Sequence, residues 1–137
     1  ILFIIRILIE NNKVPVLGVS NGKFKPVSQK PNNVTTQTEN PKKKVAPLIF
    51  KEDRESTILA LKQAVGVLGG GEIIAEEPDY LYVIFTSSLM KYRDDLEFWL
   101  DEKNGEVHYR SSSRAGFSDM GVNRKRYNAI SKLYQAA

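Results

Sequence analysis

The chain has 137 residues, which is enough for one domain with a buried core. With 42% hydrophobic and 26% charged residues, its composition is that of a globular protein rather than a disordered one. It contains no Cys and one His. Disulfides, Cys-based zinc sites, Cys nucleophiles and clusters of His ligands are therefore excluded, and a Ser-His-Asp triad would have to use His108.

The net charge of +4 is unevenly distributed along the chain. Residues 1–50 contain eight basic and two acidic residues, and residues 111–137 contain five basic and one acidic. Residues 51–110 contain seven basic and thirteen acidic residues, so the middle of the chain is acidic. Nucleic-acid binders more often carry a basic stripe with interleaved aromatic residues along the fold. We therefore do not expect a nucleic-acid partner.

The N-terminal run ILFIIRILI, residues 1–9, is strongly apolar. Nine residues cannot span a bilayer, which needs about 20 apolar residues in a helix. Two interpretations stay open. Residues 1–15 are a truncated membrane anchor or leader remnant, which predicts membrane association through the N-terminus, or the run is an Ile-rich strand or helix of the core.

We predict a single domain over residues 16–137. Residues 11–50 are rich in Pro, Gly and Asn, so this segment should wrap the body in extended pieces. A helix should follow, capped by Asp53 or Ser56 and ended by the glycines at 69–71. Its apolar residues recur at spacings of three and four: Ile58, Leu61, Val65 and Leu68.

Four strands are predicted next, at residues 72–77, 80–87, 96–101 and 106–112, with Asn104-Gly105 as a hairpin turn. Alternation places Val107 and Tyr109 on one face of the last strand and His108 on the other. A final helix, with Asn123 as its cap, completes the pattern. The predicted fold is α+β, an antiparallel four-stranded sheet with helices on one face, preceded by an extended irregular N-terminal segment.

The candidate functional segment is the connection between the last strand and the last helix, which concentrates hydroxyls, guanidinium groups and glycines. Its candidate binding residues are Arg110, Ser111, Ser113, Arg114, Asp119, Asn123 and Arg126. Cations in the first turn of a helix oppose its dipole by about 0.3–1 kcal/mol each. An ion pair with Asp119, or a bound anion at the helix N-terminus, would offset that effect.

This segment has two interpretations. In the first it binds a small anion or a protein partner: the arginines contact the ligand, the Ser and Asn side chains add hydrogen bonds, and Asp119 orients an arginine. In the second, Arg110 or Arg114 pairs with Asp119 only to hold the loop.

A hydrolase that uses Asp119 or His108 as its base is the catalytic alternative. The strand pattern favours His108 as an exposed strand residue instead. Asp94 and Asp95 should point to opposite faces of their strand, which argues against a glycosidase-like carboxylate pair. We therefore expect a non-enzymatic domain with no catalytic residue, no metal ligand and no cofactor.

Residues 110–126, RSSSRAGFSDMGVNRKR, resemble the signature of domain-of-unknown-function family 1499, found in bacteria and plant plastids. Weaker matches are DLEF at 95–98, LGVSNGK at 17–23 and PNNVTTQ at 31–37, so the resemblance spans about residues 16–135. It implies a domain and a motif but no reaction. Because many members carry an N-terminal hydrophobic segment, it also implies the cell envelope, with a membrane-anchored or periplasmic location.

The chain departs from this family at two cysteine positions, which correspond to Val27 and Asn33. Loss of both cysteines suits a pair with a structural role, such as a disulfide. The departure also argues against any role of the family that depends on a thiol or a metal at these positions.

Overall fold

An antiparallel sheet forms the centre of the fold in a computed structural model, which describes residues 2–88 and 91–137. The helices are α1 (Leu2–Asn12), α2 (Arg54–Leu68) and α3 (Val122–Ala136). The short strands are β1 (Val19–Ser20), β2 (Lys23–Phe24), β3 (Asn33–Thr35) and β4 (Leu48–Ile49). The long strands are β5 (Gly71–Glu77), β6 (Tyr80–Thr86), β7 (Arg93–Asp101) and β8 (Glu106–Ser113).

The order of strands in the main sheet is β3-β8-β7-β6-β5, with β4 also paired to β8. The short strands β1 and β2 form a separate two-stranded sheet. The α+β class and the antiparallel arrangement are therefore confirmed, but the sheet has six strands rather than four. The two additional strands have three and two residues, which is too short for an alternating pattern to be recognised in the sequence.

The core lies between one face of the sheet and the helices α2 and α3, which pack against each other. Alternation along each strand directs apolar side chains to this face, among them Val83 of β6, Leu96 and Phe98 of β7, and Tyr109 of β8. Leu61 of α2 is fully buried against them. We call this surface of the sheet the helix face.

The opposite surface, which we call the open face, is covered only in part by residues 11–26. The backbone N–H of Gly18 donates to Glu97 of β7, and the carbonyl of Lys25 accepts from Arg110 of β8. Gly22 lies so close to Trp99 that a Cβ atom there would be 3.1 Å from the indole ring. The prediction that the N-terminal segment wraps the body in extended pieces is confirmed.

Helix α1 carries exposed apolar side chains instead of burying them, as Leu2, Ile4, Leu8 and Ile9 show. The described part of the N-terminal run is thus helical but does not join the core, and Ile1 lies outside the described residues. Among the residues that the structure describes, no helix is both long enough and apolar enough to cross a membrane.

The predicted boundaries of α2 are confirmed. The Asp53 carboxylate accepts the backbone N–H of Ser56 at 2.7 Å, which is the geometry of an N-cap. At the other end Gly69, with φ of 78°, ends the helix in a conformation that favours glycine.

Lys43 has an unexpected environment, because a run of three lysines usually forms a solvated loop. Its side chain is buried, and its Nζ donates to the carbonyls of Ser28 (2.6 Å) and Lys30 (2.7 Å) and to Oδ1 of Asn33 (2.9 Å). Burial lowers the pKa of Lys43. Asn33 also donates to the Ser28 carbonyl, so polar contacts hold this loop together.

Candidate functional site

The alternation of β8 divides the predicted binding residues between the two faces of the sheet. Arg110 and Arg114 point to the open face, whereas Ser111 and Ser113 point to the helix face, where α3 lies. The sequence motif is therefore continuous in the chain but forms two separate clusters in the fold.

Asn123 is the centre of the cluster on the helix face and is fully buried. Its side-chain amide nitrogen, which carries two protons, lies within hydrogen-bond distance of three acceptors: the Asn32 carbonyl (3.0 Å), Ser113 Oγ (2.9 Å) and Asp119 Oδ2 (2.8 Å). These contacts join the chain just before β3, the end of β8 and the loop that precedes α3.

The side-chain oxygen of Asn123 is also saturated. It accepts from the hydroxyl of Ser111 and from Nη1 of Arg126 at 3.1 Å. A buried amide that uses its donors and its acceptor in this way fixes the position of each partner, because any one of them left unpaired would incur a desolvation penalty.

Asp119, not Asn123, satisfies the backbone N–H groups at the start of α3. Its carboxylate accepts from the backbone N–H of Gly121 (2.8 Å) and of Asn123 (3.0 Å). The prediction of Asn123 as the cap is therefore wrong, because the helix begins earlier, at Val122. The Asp119 carboxylate supplies the negative charge that the helix dipole favours, through hydrogen bonds rather than an ion pair with an arginine.

Arg126 makes the ion pair on the helix face. Its Nη2 lies 2.8 Å from Oδ2 of Asp94, and its guanidinium lies over the ring of Phe85 at 4.7 Å from the centroid. Both charged side chains are nearly inaccessible to solvent. The cation in the first turn of α3 is thus neutralised by a carboxylate of β7.

Arg114 makes a bidentate ion pair with Asp95 on the open face. Its Nε and Nη2 each donate to the Asp95 carboxylate at 2.8 Å, and the two side chains are 3% and 2% exposed. The hydroxyl of Tyr82 donates to the same carboxylate. The hydrogen bond with Asp95 raises the pKa of Arg114, so this guanidinium is charged at every relevant pH.

Arg110 lies beside Glu97, with 3.6 Å between its Nη1 and Oε1 of the carboxylate. Glu97 is fully buried and accepts hydrogen bonds from the Tyr80 hydroxyl (2.5 Å) and the Gly18 N–H (2.9 Å). Burial raises the pKa of Glu97 despite these partners. Arg110 also donates to the carbonyl of Lys25, which attaches the N-terminal segment to the sheet.

Arg110, Arg114 and Arg126, the three arginines among the candidate binding residues, therefore each have a carboxylate neighbour on β7, and none of them pairs with Asp119. The expectation that Arg110 or Arg114 pairs with Asp119 is wrong. Asp95 and Glu97 share the open face, and Asp94 lies on the helix face, as alternation predicts. The sequence match at residues 95–98 contains Asp95 and Glu97 and so points to these two carboxylates. Which arginine each one faces depends on the register of β7 and β8.

A cavity of about 330 Å³ opens beside Arg110 and Arg114 on the open face. We call it the basic cavity. It is lined by four cations and two carboxylates: Lys13, Lys30, Arg110, Arg114, Glu10 and Asp95. Ser112 and Ser113 complete the wall on the β8 side, although the Ser113 hydroxyl itself bonds to Asn123 on the helix face. The two lysines are site residues that the sequence analysis missed, because they lie about 80 to 100 residues before the motif.

Asp119 is not arranged as a catalytic base, because its two carboxylate oxygens accept the N–H groups of Gly121 and Asn123. His108 lies in a different region and is half-buried rather than exposed. The hydrolase alternative would therefore have to use His108, which is close to Asp101 and Glu106.

The chain matches the family model DUF1499, described as a protein of unknown function, over residues 23–133. This match covers most of the chain, so the protein belongs to that family. No curated protein and no solved structure matches it.

Replacement of Asn123 by Ala tests the cluster on the helix face. The variant would remove the buried hydrogen bonds of the Asn123 side chain to the hydroxyls of Ser111 and Ser113, to Asp119 Oδ2 and to the Asn32 carbonyl, so we expect it to lower the free energy of unfolding by about 2–4 kcal/mol. Urea unfolding followed by Trp99 fluorescence measures this. Asn128→Ala, at an exposed position of the same helix, is the control and should change stability by less than about 0.5 kcal/mol. Equal effects of the two variants would contradict the role of Asn123.

Proposed function

We propose that this chain is a non-enzymatic, envelope-associated binding domain that takes a small anion, a phosphate or a carboxylate, in the basic cavity. The observation that carries the proposal is the excess of positive charge in a cavity of about 330 Å³. Cations clustered around a small concave space attract and concentrate anions.

The charge balance of the cavity favours a ligand even after the internal ion pairs are counted. Asp95 is engaged by Arg114, and Glu10 pairs with Arg6, which does not line the cavity. Within residues 2–88 and 91–137, no carboxylate oxygen lies within 4.0 Å of the ammonium groups of Lys13 and Lys30. These two ammonium groups have charge available for a ligand.

The predicted binding residues take different roles in this proposal. Arg110 and Arg114 line the cavity; the Asp95 carboxylate orients Arg114, and the carbonyls of Lys25 and Pro26 orient Arg110. Ser113 also lies on the wall, although its hydroxyl bonds to Asn123 on the helix face. On the helix face, Asn123 bonds to Ser111, Asp119 and Arg126. These bonds position β8 from the side of the sheet opposite the cavity. Because the arginines are already oriented, little conformational entropy is lost when an anion binds.

Titration with inorganic phosphate tests this site, with binding followed by calorimetry and by backbone amide shifts. Lys30→Gln should weaken phosphate binding at least tenfold, which is about 1.4 kcal/mol, because it removes a cation without breaking an ion pair. Lys132→Gln, on the exposed side of α3, is the matched control and should bind as the parent protein does. Absence of phosphate binding by the parent protein, or equal affinities of the two variants, would refute the anion site.

We also propose that α1 attaches the domain to the surface of a lipid bilayer. The exposed apolar side chains of Ile4 and Leu8, four residues apart, lie on one side of the helix. Residues 1–50 have a large excess of basic residues, which favours anionic lipids. Glu10 of α1 lines the basic cavity, so a membrane-bound α1 would place the anion site at the membrane surface.

Co-sedimentation with vesicles containing phosphatidylserine tests this attachment. The parent protein should co-sediment, and the double variant Ile4→Glu, Leu8→Glu should stay in the supernatant, because it places two charges on the apolar side of α1. Val67→Glu, at an exposed position of α2, is the control and should bind normally. If the parent protein does not bind, or if the double variant still binds, membrane attachment through α1 is wrong.

A further inference from the structure

Three metal-ligand side chains meet at the far end of the open face, away from the basic cavity. Asp101 is the last residue of β7, Glu106 is the first residue of β8, and the two are paired in register. His108 follows two residues later on the same face of β8. One donor atom from each of the three lies within 4.8 Å of the other two.

The ring of His108 is held in a fixed orientation. It stacks on the indole of Trp99 at 5.5 Å between centroids and 17° between planes, and its Nδ1 lies 2.9 Å from the hydroxyl of Thr36. This leaves Nε2 facing the two carboxylates, 3.7 Å from Glu106 Oε1 and 3.9 Å from Asp101 Oδ2. Histidines that ligate a metal through one ring nitrogen commonly make such a hydrogen bond through the other.

The two carboxylates have no cationic side chain of their own. In the described part of the chain, no Lys or Arg nitrogen lies within 4.0 Å of Asp101 or Glu106. Burial lowers the pKa of His108, against the opposite effect of the two carboxylates. Two carboxylates thus face one imidazole, and no lysine or arginine of the described residues is in direct contact with those carboxylates.

We propose that Asp101, Glu106 and His108 bind a divalent transition-metal ion of the Zn²⁺ or Mn²⁺ type. Imidazole together with carboxylate oxygens is a donor set that these ions accept, and a divalent cation neutralises the two carboxylates. A hydrogen bond within the hairpin orients one of the ligands: Asn104, in the turn, donates to Asp101 Oδ2 at 2.7 Å. The site is independent of the proposed anion site, because it shares no residue with the basic cavity.

A second cavity adjoins the metal ligands and gives the ion access to solvent. It measures about 740 Å³ and is lined by Asp101, His108, Trp99 and Thr36, among others. Three protein ligands leave coordination positions free for water or for a ligand in this cavity.

Titration of tag-free protein with Zn²⁺, in a buffer without phosphate, tests the site. His108 is the single histidine and the chain has no cysteine, so the imidazole proton signals in the NMR spectrum report on this site alone. We expect one Zn²⁺ per chain by calorimetry, with a saturable shift of the His108 signals. His108→Gln and Glu106→Gln should each weaken binding at least tenfold, whereas Glu72→Gln, an exposed acidic residue of β5, should not.

Two further controls keep the experiment decisive. If His108→Gln does not fold, because the stacking on Trp99 is lost, Glu106→Gln alone decides the question. Thr36→Val should weaken Zn²⁺ binding by a smaller factor, since it removes the hydrogen bond to Nδ1, together with those to the Tyr109 backbone, but removes no ligand of the metal. If the His108 signals respond to pH but not to Zn²⁺, or if Glu106→Gln binds Zn²⁺ as the parent does, the metal site is refuted.

Discussion

The buried carboxylates of β7 are the constraint on which the rest of the structure depends. A charged group removed from water must be paired, because breaking such a pair leaves an uncompensated charge and costs about 3–5 kcal/mol. Arg114 pairs with Asp95 and Arg126 pairs with Asp94, while Arg110 lies beside Glu97. β7 is a central strand and carries these acidic residues on both faces. On the open face they hold Arg110 and Arg114, at the end of β8, and on the helix face Asp94 holds Arg126 of α3.

The two faces of the sheet differ in how their polar side chains are used. On the helix face the cluster around Asn123 is buried and uses its polar groups internally. On the open face, the same strands support the basic cavity at one end and the cluster around His108 at the other. The proposed anion and metal sites therefore both lie on the face that α2 and α3 do not cover.

The sequence predicts the local features of the fold because they depend on local rules. Alternation assigns Val107 and His108 to opposite faces, Asp53 caps α2, and Asn104-Gly105 forms the hairpin turn. The additional strands β3 and β4 are too short for such rules. The sequence also predicts the wrong cap for α3. Asp119, which precedes the helix, accepts the backbone N–H of Asn123, whereas the Asn123 side chain is buried and bonds to several other segments.

The site depends on contacts between distant residues, which no local pattern contains. The motif identifies Arg110 and Arg114 as unusual, but only the register of β7 and β8 shows that Asp95 and Glu97 are adjacent to them. Lys30 joins the cavity because the N-terminal segment folds back over the open face. In the cluster around His108, the pairing of β7 with β8 can be predicted from the hairpin turn. The position of Thr36 beside His108 cannot be predicted from that turn.

A double-mutant cycle on Arg114 and Asp95 tests the central claim most directly, with the free energy of unfolding measured in urea. We expect Arg114→Met and Asp95→Asn each to be strongly destabilising, and the double variant to be more stable than the sum of the two by at least about 1 kcal/mol. The exposed pair Arg54–Glu102, also 2.8 Å apart, should give a smaller coupling. Additive effects at Arg114 and Asp95, within about 0.5 kcal/mol, would contradict the claim that the β7 carboxylates hold the motif arginines in place.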